Sequence, residues 1–277
     1  MPVRVLSKYI VVYLIGFLLI SVNSNSSSAA TWNDWVAGPN GKVNSSSLKK
    51  RWGNYGGYGV WSSGGRLNVI QAGSARHYRV NIWANTYGYK NCGISLNRTF
   101  GPKNNPATKA TVEYRIRFSS NFNFGKGGKL PGFGSNTSGG YGGRKPTGTN
   151  GWSSRNMWLS GGRLTFYCYH MDMPGKYGQH LFWKNSNGSD FKFRKNVWYT
   201  IKHEVKMNTP GKKDGYVKGW INGRLALNRQ NLRFRTTSSL GINRLNVGAW
   251  RGGNDRSWAV GTSNYIDLDN IKTWWNR

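Results

Sequence analysis

Apolar and polar residues alternate along several segments of the chain, which is the pattern of a β-strand with one buried face. The alternation is clean over Ala110–Phe118 and again over Trp198–Asn208, and a further strand-like run covers Tyr265–Trp274. Asn222-Gly223 stands between two apolar runs, and this pair favours a two-residue hairpin turn because both positions need positive φ. No segment has a helical stripe longer than a couple of turns. The pattern therefore predicts antiparallel strands through most of the chain.

The composition agrees with many short strands joined by turns. The chain has 277 residues, of which 38 are glycine and 14% are aromatic, so it can build a large core from strands. The segment from Thr31 to Ser63 is rich in Gly, Trp and Asn and is predicted to form loops with short edge strands. Neither an internal repeat nor a long linker is visible. The expected fold is a single all-β domain, a sandwich or jelly roll of two antiparallel sheets with a concave groove.

The N-terminal segment has the organisation of a secretory signal. Two basic residues precede an apolar run over Tyr9–Val22, and a polar stretch then ends in small residues at Ser28–Ala30. The apolar run is short for a helix that spans a bilayer. We therefore predict a signal peptide over residues 1–30 and a single exported domain over residues 31–277, extracellular and without membrane association after cleavage.

The charge of the chain is strongly positive, with 40 Lys and Arg residues against 9 Asp and Glu residues and a formal net charge of +31. Such a charge attracts polyanions that carry phosphate, sulfate or uronate groups. Nucleic acid is disfavoured because the basic residues are spread along the chain, with no arginine-rich run, zinc-finger spacing or RNA-binding-sheet signature. A basic surface that serves only solubility or adhesion is the alternative.

A single stretch of the chain concentrates groups that suit a carboxylated sugar. Alternate side chains of a strand point to opposite faces, so Ser153 and Arg155 share one face, and Tyr167 and Tyr169 share one face. With Lys129 they bring two cations, a hydroxyl and two phenols to one groove. Each alone has an ordinary structural explanation, since strand tyrosines usually pack and surface lysines are usually solvated. Their proximity in one stretch is what indicates a site.

These residue types fit the β-elimination of a uronic-acid polymer, which removes the C5 proton and releases the glycosidic oxygen at C4. Lys129 and Arg155 can neutralise the carboxylate, and pre-positioned groups of this kind are usually the largest catalytic contribution. Tyr167 and Tyr169 are the candidates for base and acid, and we expect the nearby cations to lower their pKa values. The sequence leaves open which tyrosine does which.

Four further residues are candidates for substrate contacts. Arg115 and Arg117 lie on the polar face of their strand and could bind a long polymer at extra subsites, although a solvated outer face is an equal alternative. Trp158 and His170 are candidates for the wall of the groove. Cys168 lies between the two tyrosines and should point the other way, into the core.

Hydrolysis and metal chemistry are both disfavoured by the sequence. Hydrolysis of a glycoside needs paired carboxylates, and most of the acids stand singly. Asp267 and Asp269 share a face and Asp172 follows the tyrosine strand, but none is flanked like a catalytic acid. The histidines and cysteines have no metal-ligand spacing, so no metal or cofactor is predicted. Cys92 and Cys168 could equally be free thiols or one disulfide.

Four parts of the chain resemble polysaccharide lyase family 14, the alginate and glucuronan lyases. They read FNFGKGGKLPGF, GWSSRNMWLSGGRLTFYCYH, WYTIKHEVKMNTPGKKDGYVKGWING and WRGGNDRSWAVG with NYIDLDNI, and they follow in order from about Thr111 to Ile271. The likeness is greatest to the wall-digesting members associated with algal viruses. It implies a β-jelly roll and endolytic β-elimination of polymers that contain mannuronate or glucuronate.

The resemblance also implies which residues act. The family's functional set is a lysine in GGKLPG, a Ser-x-Arg pair and a Tyr-x-Tyr pair, which in this chain are Lys129, Ser153, Arg155, Tyr167 and Tyr169. We therefore expect a secreted, monomeric lyase, virion-associated if a virus encodes it, whose partner is alginate, polyglucuronate or an acidic algal wall polysaccharide. Two other functions fit the charge: a lectin-like module that binds these polymers without cleaving them, and a general polyanion binder.

Overall fold

The computed structural model describes residues 29–34, 36, 40–43, 45–52, 55–58, 65–100 and 105–277. The predicted signal peptide lies outside these residues, except for its last two positions. Within the part of the chain that is described, no helix is long and apolar enough to cross a membrane.

Strands make up most of the described chain. In chain order they are β1 (Ala30–Asp34), β2 (Gly41–Lys42), β3 (Tyr55–Tyr58), β4 (Leu67–Ala72), β5 (Ala75–Ile82), β6 (Ile94–Thr99), β7 (Lys109–Phe118), β8 (Gly127–Gly134), β9 (Ser153–Leu159), β10 (Leu164–Tyr169), β11 (Gln179–Phe182), β12 (Tyr199–Lys206), β13 (Gly215–Ile221), β14 (Arg224–Leu232), β15 (Arg244–Arg251) and β16 (Asn264–Asn276). Two short helices, α1 (Ser45–Trp52) and α2 (Gly88–Asn91), accompany them.

These strands form two antiparallel sheets. The nine-stranded sheet has the order β14-β13-β12-β7-β16-β5-β4-β2, and β1 pairs with β16 outside this path. The seven-stranded sheet has the order β11-β10-β9-β8-β15-β6-β3. Both sheets combine neighbours that follow each other in the chain with pairs that are distant in sequence, such as β7 with β16 and β8 with β15. The buried apolar residues of both sheets form a single core cluster. The prediction of an all-β jelly roll with two antiparallel sheets is confirmed.

The alternation read from the sequence corresponds to strands of the structure. Ala110–Phe118 falls within β7, whose even-numbered side chains from Val112 to Phe118 are fully buried. Trp198–Asn208 contains β12, in which buried and half-buried residues alternate. Asn222 and Gly223, with φ values of 49° and 83°, join β13 to β14.

The helix α1 was not predicted, because it falls in a segment that the sequence assigned to loops and edge strands. Leu48 and Trp52 are four residues apart, share one face of the helix and are both buried. Trp52 Nε1 donates a hydrogen bond to the carboxylate of Asp34. Two buried residues are too few to give a helical stripe that can be recognised in the sequence.

Aromatic rings fill the core between the sheets. Phe118 of β7 contacts Phe122 and Trp158, with ring centroids 4.7 and 5.7 Å away. Trp158 is fully buried and its Nε1 donates a hydrogen bond to the carbonyl oxygen of Phe124 at 3.0 Å. The prediction that Trp158 lines the groove is therefore wrong. It lies on the core face of β9, opposite to the face that carries Arg155.

Cys92 and Cys168 are both buried free thiols, so they do not form the disulfide that the sequence left open. The Sγ of Cys92 accepts a hydrogen bond from the backbone N–H of Arg251 at 3.4 Å. Cys168 points into the core, as predicted from its place between two tyrosines.

Candidate active site

The two sheets differ sharply in the acidic residues of their strands. The strands of the seven-stranded sheet contain no Asp or Glu. Those of the nine-stranded sheet contain five, namely Asp34, Glu113, Glu204, Asp267 and Asp269. Basic side chains on the face of the seven-stranded sheet that points away from the core therefore have no carboxylate on their own sheet to neutralise them. This face, called the groove face below, is the part of the molecule best suited to a polyanion.

The register of β9 and β10 brings four predicted site residues together on the groove face. Arg155 stands opposite Tyr167, and Ser153 stands opposite Tyr169. Because side chains of directly opposed residues lie on the same face, the Ser-x-Arg pair and the Tyr-x-Tyr pair form one patch. The sequence could place each pair on a face but could not say that the two strands are neighbours.

Lys129 joins this patch through an irregularity in β8. The register with β9 shifts between Lys129 and Gly132, and Lys129 lies opposite Met157. Its Nζ donates to the thioether sulfur of Met157 at 2.9 Å and lies 3.5 Å from the centroid of the Tyr167 ring. The side chain is only 7% exposed, and no carboxylate forms an ion pair with it in the described part of the chain. Lys129 is thus a buried amine without a counter-charge among the described residues.

The electrostatics of Lys129 follow from that position. Burial holds its pKa well below the ordinary value of 10.5, and the positive charge of Arg155 lowers the pKa further. Both effects favour the neutral amine, because an ammonium in this place would be poorly hydrated and close to a like charge. The expectation that Lys129 acts as a fixed cation does not agree with this environment.

The phenols of Tyr167 and Tyr169 form a pair, with their oxygens 3.5 Å apart. The backbone N–H of Gly143 donates to the oxygen of Tyr169 at 3.0 Å. Burial raises the pKa of Tyr167, and its hydrogen bond with Tyr169 raises it further, while Arg155 lowers it by less. The expectation that nearby cations lower the phenol pKa values is therefore wrong for Tyr167, because the loss of water outweighs the attraction of the charge. Tyr167 keeps its proton at neutral pH.

Arg155 supplies the permanent positive charge of the site. Its guanidinium carbon lies 5.5 Å from the ring centroid of Tyr141 and 5.9 Å from that of Trp250. Burial lowers its pKa, but from so high an ordinary value that the group remains charged. The half-buried side chain faces the groove without an ion pair to any carboxylate in the described residues.

Ser153 has a different position from the other four residues. It is fully buried, and its hydroxyl donates to the carbonyl oxygen of Gly140 at 2.6 Å. Gly140 and Gly143 belong to the Gly-rich loop after β8, and both have positive φ. Ser153 therefore anchors the loop whose Gly143 N–H holds the Tyr169 phenol.

Two residues that the sequence reasoning missed stand beside the tyrosines. His180 of β11 lies opposite Tyr167, with the two ring centroids 5.1 Å apart. Loss of water around the imidazole is the main cause that lowers its pKa to about 4, so it is neutral at physiological pH. Gly178 precedes β11, and a Cβ placed on it would lie 2.8 Å from the Tyr169 ring. The alternation in QHLF predicts the side on which His180 lies, but only the register of β10 and β11 shows its neighbour.

The close approach at Gly178 gives a prediction. In Gly178→Ala the added methyl group would also lie 3.2 Å from the ring of Tyr167, so we expect both phenols to shift and kcat to fall about tenfold or more. The measurement is kcat together with the melting temperature. Gly175→Ala, where the added carbon meets nothing within 4 Å, is the matched control and should leave kcat unchanged. Equal activity of the two variants would contradict the tight packing of the phenol pair.

The remaining predicted contacts lie elsewhere. Arg115 and Arg117 belong to β7 of the other sheet and pair with Asp269 and Asp267 at 3.3 and 2.7 Å, so they cannot contribute subsites to the groove face. His170 follows β10, is 2% exposed and shares a 2.7 Å hydrogen bond with Gln179. The prediction that it forms the wall of the groove is wrong, because its ring is enclosed.

Among the described residues, no three His, Cys, Asp or Glu side chains lie close enough together to hold a metal ion. The groove face instead combines a buried amine of lowered pKa, a guanidinium and a phenol that keeps its proton. These groups can accept a proton, neutralise a carboxylate and donate a proton.

Comparisons with known proteins agree with this chemistry. The sequence model of the family described as Polysaccharide lyase 14 matches residues 70–271. A search of curated proteins found no match. The solved structure of alginate lyase Aly36B is similar over 88% of this chain and 96% of that protein, with 28% identity and a TM-score of 0.73. Aly36B has also been solved with alginate tetrasaccharide in a lysine and tyrosine double variant, and with alginate trisaccharide in a lysine and methionine double variant.

Two more distant structures share the fold. The marine PL-14 alginate lyase from Aplysia kurodai is 23% identical, with a TM-score of 0.66 over 87% of this chain and 98% of that protein. Alginate lyase vAL-1 from Chlorella virus is 20% identical, with a TM-score of 0.61 over 76% of this chain and 89% of that protein. At these identities the likeness concerns the fold alone.

Proposed function

This chain belongs to polysaccharide lyase family 14, and from that premise we propose that it cleaves polymers of mannuronate or glucuronate by endolytic β-elimination. The observation that carries the proposal is that Lys129 contacts the ring of Tyr167 and that Arg155 stands opposite Tyr167, on a sheet whose strands contain no acid. The bound alginate oligosaccharides of Aly36B support a uronate substrate. The residues that were replaced in those complexes are a lysine, a tyrosine and a methionine, the residue types that meet here at Lys129, Tyr167 and Met157.

Arg155 neutralises the carboxylate of the sugar that loses its C5 proton. Removal of this proton places negative charge on the carboxylate, and the reaction is slow unless that charge is stabilised. A cation about 4 Å away is worth about 4 kcal/mol at an effective dielectric of about 20. The planar guanidinium can also bind both carboxylate oxygens at once.

Lys129 accepts the C5 proton in this proposal. A proton acceptor must be neutral beforehand, and the lowered pKa of Lys129 meets this requirement whereas the raised pKa of Tyr167 does not. Once the amine has taken the proton it becomes an ammonium. The face of the Tyr167 ring, 3.5 Å from Nζ, then stabilises the new charge.

The phenol pair of Tyr167 and Tyr169 donates a proton to the departing glycosidic oxygen. The Gly143 N–H donates to the Tyr169 oxygen, which holds this phenol in place beside that of Tyr167. The C5–H and C4–O bonds break and a C4–C5 double bond forms. The proton on Lys129 finally returns to the phenolate, so the enzyme is restored without water entering the reaction.

The cellular setting is also part of the proposal. A signal peptide over residues 1–30 would export the lyase to meet cell-wall or matrix polysaccharide, and we propose that it acts as a monomer outside the cell. The basic and apolar pattern of the first residues supports export.

The proposed reaction can be tested directly. The elimination product has a conjugated double bond, so we expect absorbance in the near ultraviolet to rise when the protein is mixed with mannuronate-rich alginate or glucuronan. Polymer viscosity should fall early, as in endolytic cleavage. New reducing ends without absorbance would indicate hydrolysis, and binding without either change would indicate a lectin-like module.

A further inference from the structure

The groove face continues past the phenol pair to a pocket of about 520 Å³ that the proposed chemistry does not use. Its lining residues are Arg163, Asn185, Ser189, Asp190 and Lys192. Arg163 precedes β10 and is paired with Lys192 across an isolated bridge, so these two side chains lie on one side of the sheet.

The pocket is on the same side of the sheet as the phenols. Arg163 and Tyr167 are four positions apart along one extended segment and therefore share a face. His180 of β11 stands opposite Tyr167, and Phe182 is two positions further along the same strand. The core residue Leu164, next to Arg163, is fully buried and marks the opposite face. The pocket is therefore an extension of the groove face and not a hollow on the back of the sheet.

A row of flat groups connects the phenols to the pocket. The His180 ring lies 5.1 Å from Tyr167, and the Phe182 ring lies 6.1 Å from His180 and nearly parallel to it. The guanidinium carbon of Arg163 is 5.1 Å from the centroid of the Phe182 ring. Flat rings of this kind suit the apolar C–H faces of sugars, and they leave a continuous surface along which a polymer can lie.

The charge at the far end of this row is positive. Asp190 pairs with Lys184 at 2.7 Å and with Arg163 at 3.6 Å, so one carboxylate faces two cations. Lys192 adds a third cation, which is exposed and forms no ion pair with a carboxylate in the described residues. Since the cations outnumber the carboxylate, the pocket can take up a further anion.

We propose that this pocket is a distal subsite that binds the carboxylate of another uronate of the same polymer, an inference that rests on the proposed function. Arg163 and Lys192 hold the carboxylate, and Phe182 packs against the sugar chain that leads to it. Arg163 and Tyr167 are four positions apart along extended strand, a span of about 13 Å and more than one sugar unit. The subsite therefore serves long chains and leaves the shortest cleavable oligomer untouched.

The experiment compares the double variant Arg163→Ala/Lys192→Ala with wild type on mannuronate oligomers of increasing length, read by product absorbance. On long oligomers and on polymer we expect KM to rise about tenfold with kcat unchanged, because the lost contact is equally strong in ground and transition states. On the shortest cleaved oligomer neither constant should change. Lys202→Ala/Lys218→Ala removes two charges from the nine-stranded sheet and is the matched control.

A second variant tests the subsite without removing its cations. Asp190→Asn releases Arg163 and Lys184 from their carboxylate, so KM should fall about threefold on long oligomers alone. A change that is the same for all lengths, or a response no larger than that of the control, overturns the subsite while the lyase function stands. Wild-type protein that gives no absorbance with any uronate polymer would overturn both.

Discussion

Replacing Lys129 with arginine should lower kcat at least a hundredfold, even though the positive charge of the side chain is retained. A guanidinium does not lose its proton in a protein, so Lys129→Arg can still attract a carboxylate but cannot accept the C5 proton. Loss of a positioned base costs about 10²- to 10⁴-fold. The measurement is the initial rate of product absorbance on alginate at saturating substrate.

The pH profile separates a lost base from a misplaced charge. In the wild-type protein the amine must be neutral to act, so kcat/KM should rise with pH through the lowered pKa of Lys129 and be at its plateau well below 10.5. At the alkaline end the rate should fall only above the ordinary tyrosine pKa of 10, because burial raises that of Tyr167. Lys129→Arg should lose the rise at low pH. A variant that retains a tenth of the wild-type rate with the same profile would assign the proton transfer to another group.

Two controls address folding. Lys126 lies three residues before Lys129, and its exposed side chain donates a hydrogen bond to Ser257. The variant Lys126→Arg should therefore be fully active. Lys129→Met should be inactive yet no less stable than wild type. Below its ordinary pKa the lysine is protonated in the unfolded chain, whereas burial disfavours the protonated form in the folded protein. Lys129 therefore lowers the free energy of unfolding at neutral pH, and an apolar replacement removes this cost.

Much of this site follows from local rules that can be applied to the sequence. Period-two alternation placed Ser153 with Arg155 and Tyr167 with Tyr169, and it sent Cys168 into the core. The same rule also places Trp158 in the core. Trp158 lies three positions after Arg155, so its side chain points to the opposite face of the strand. That error was avoidable.

The remaining differences come from non-local structure. Arg115 and Arg117 were assigned to the correct face of their strand, but the sequence did not reveal that this strand belongs to the other sheet, beside Asp267 and Asp269. His180 could not be recognised because its contact with the phenols depends on the register of β11.

Ionisation was the least predictable property of the site. The sequence predicted Arg155 and the two tyrosines beside Lys129 but not Met157, and charge alone suggested a fixed ammonium with lowered phenol pKa values nearby. The depth of burial reverses the argument for both Lys129 and Tyr167, because desolvation disfavours ammonium and phenolate alike. Depth is a property of the folded sheets and of the irregularity in β8, and neither is encoded in a short motif.

Removing one phenol oxygen should be nearly as damaging as removing the base. In Tyr167→Phe the ring that lies against Lys129 is kept, so the change deletes the hydroxyl and little else. We expect kcat to fall about a hundredfold with KM nearly unchanged, since proton donation to the leaving oxygen is needed only in the transition state. Tyr177→Phe, on a side chain that is 60% exposed in the adjoining segment, is the control and should retain full activity.

The double variant Tyr167→Phe/Tyr169→Phe then decides whether the two phenols act as a unit. Their oxygens are 3.5 Å apart, so a phenol that gives its proton to the leaving oxygen can receive another from its partner through this hydrogen bond. If they share the task, the double variant should be hardly slower than the worse single variant, because groups that act together are not additive. Multiplication of the two single losses would mean that each phenol contributes separately. Retention of most activity in both single variants would remove the phenols from the reaction and leave Lys129 to return its own proton to the leaving oxygen.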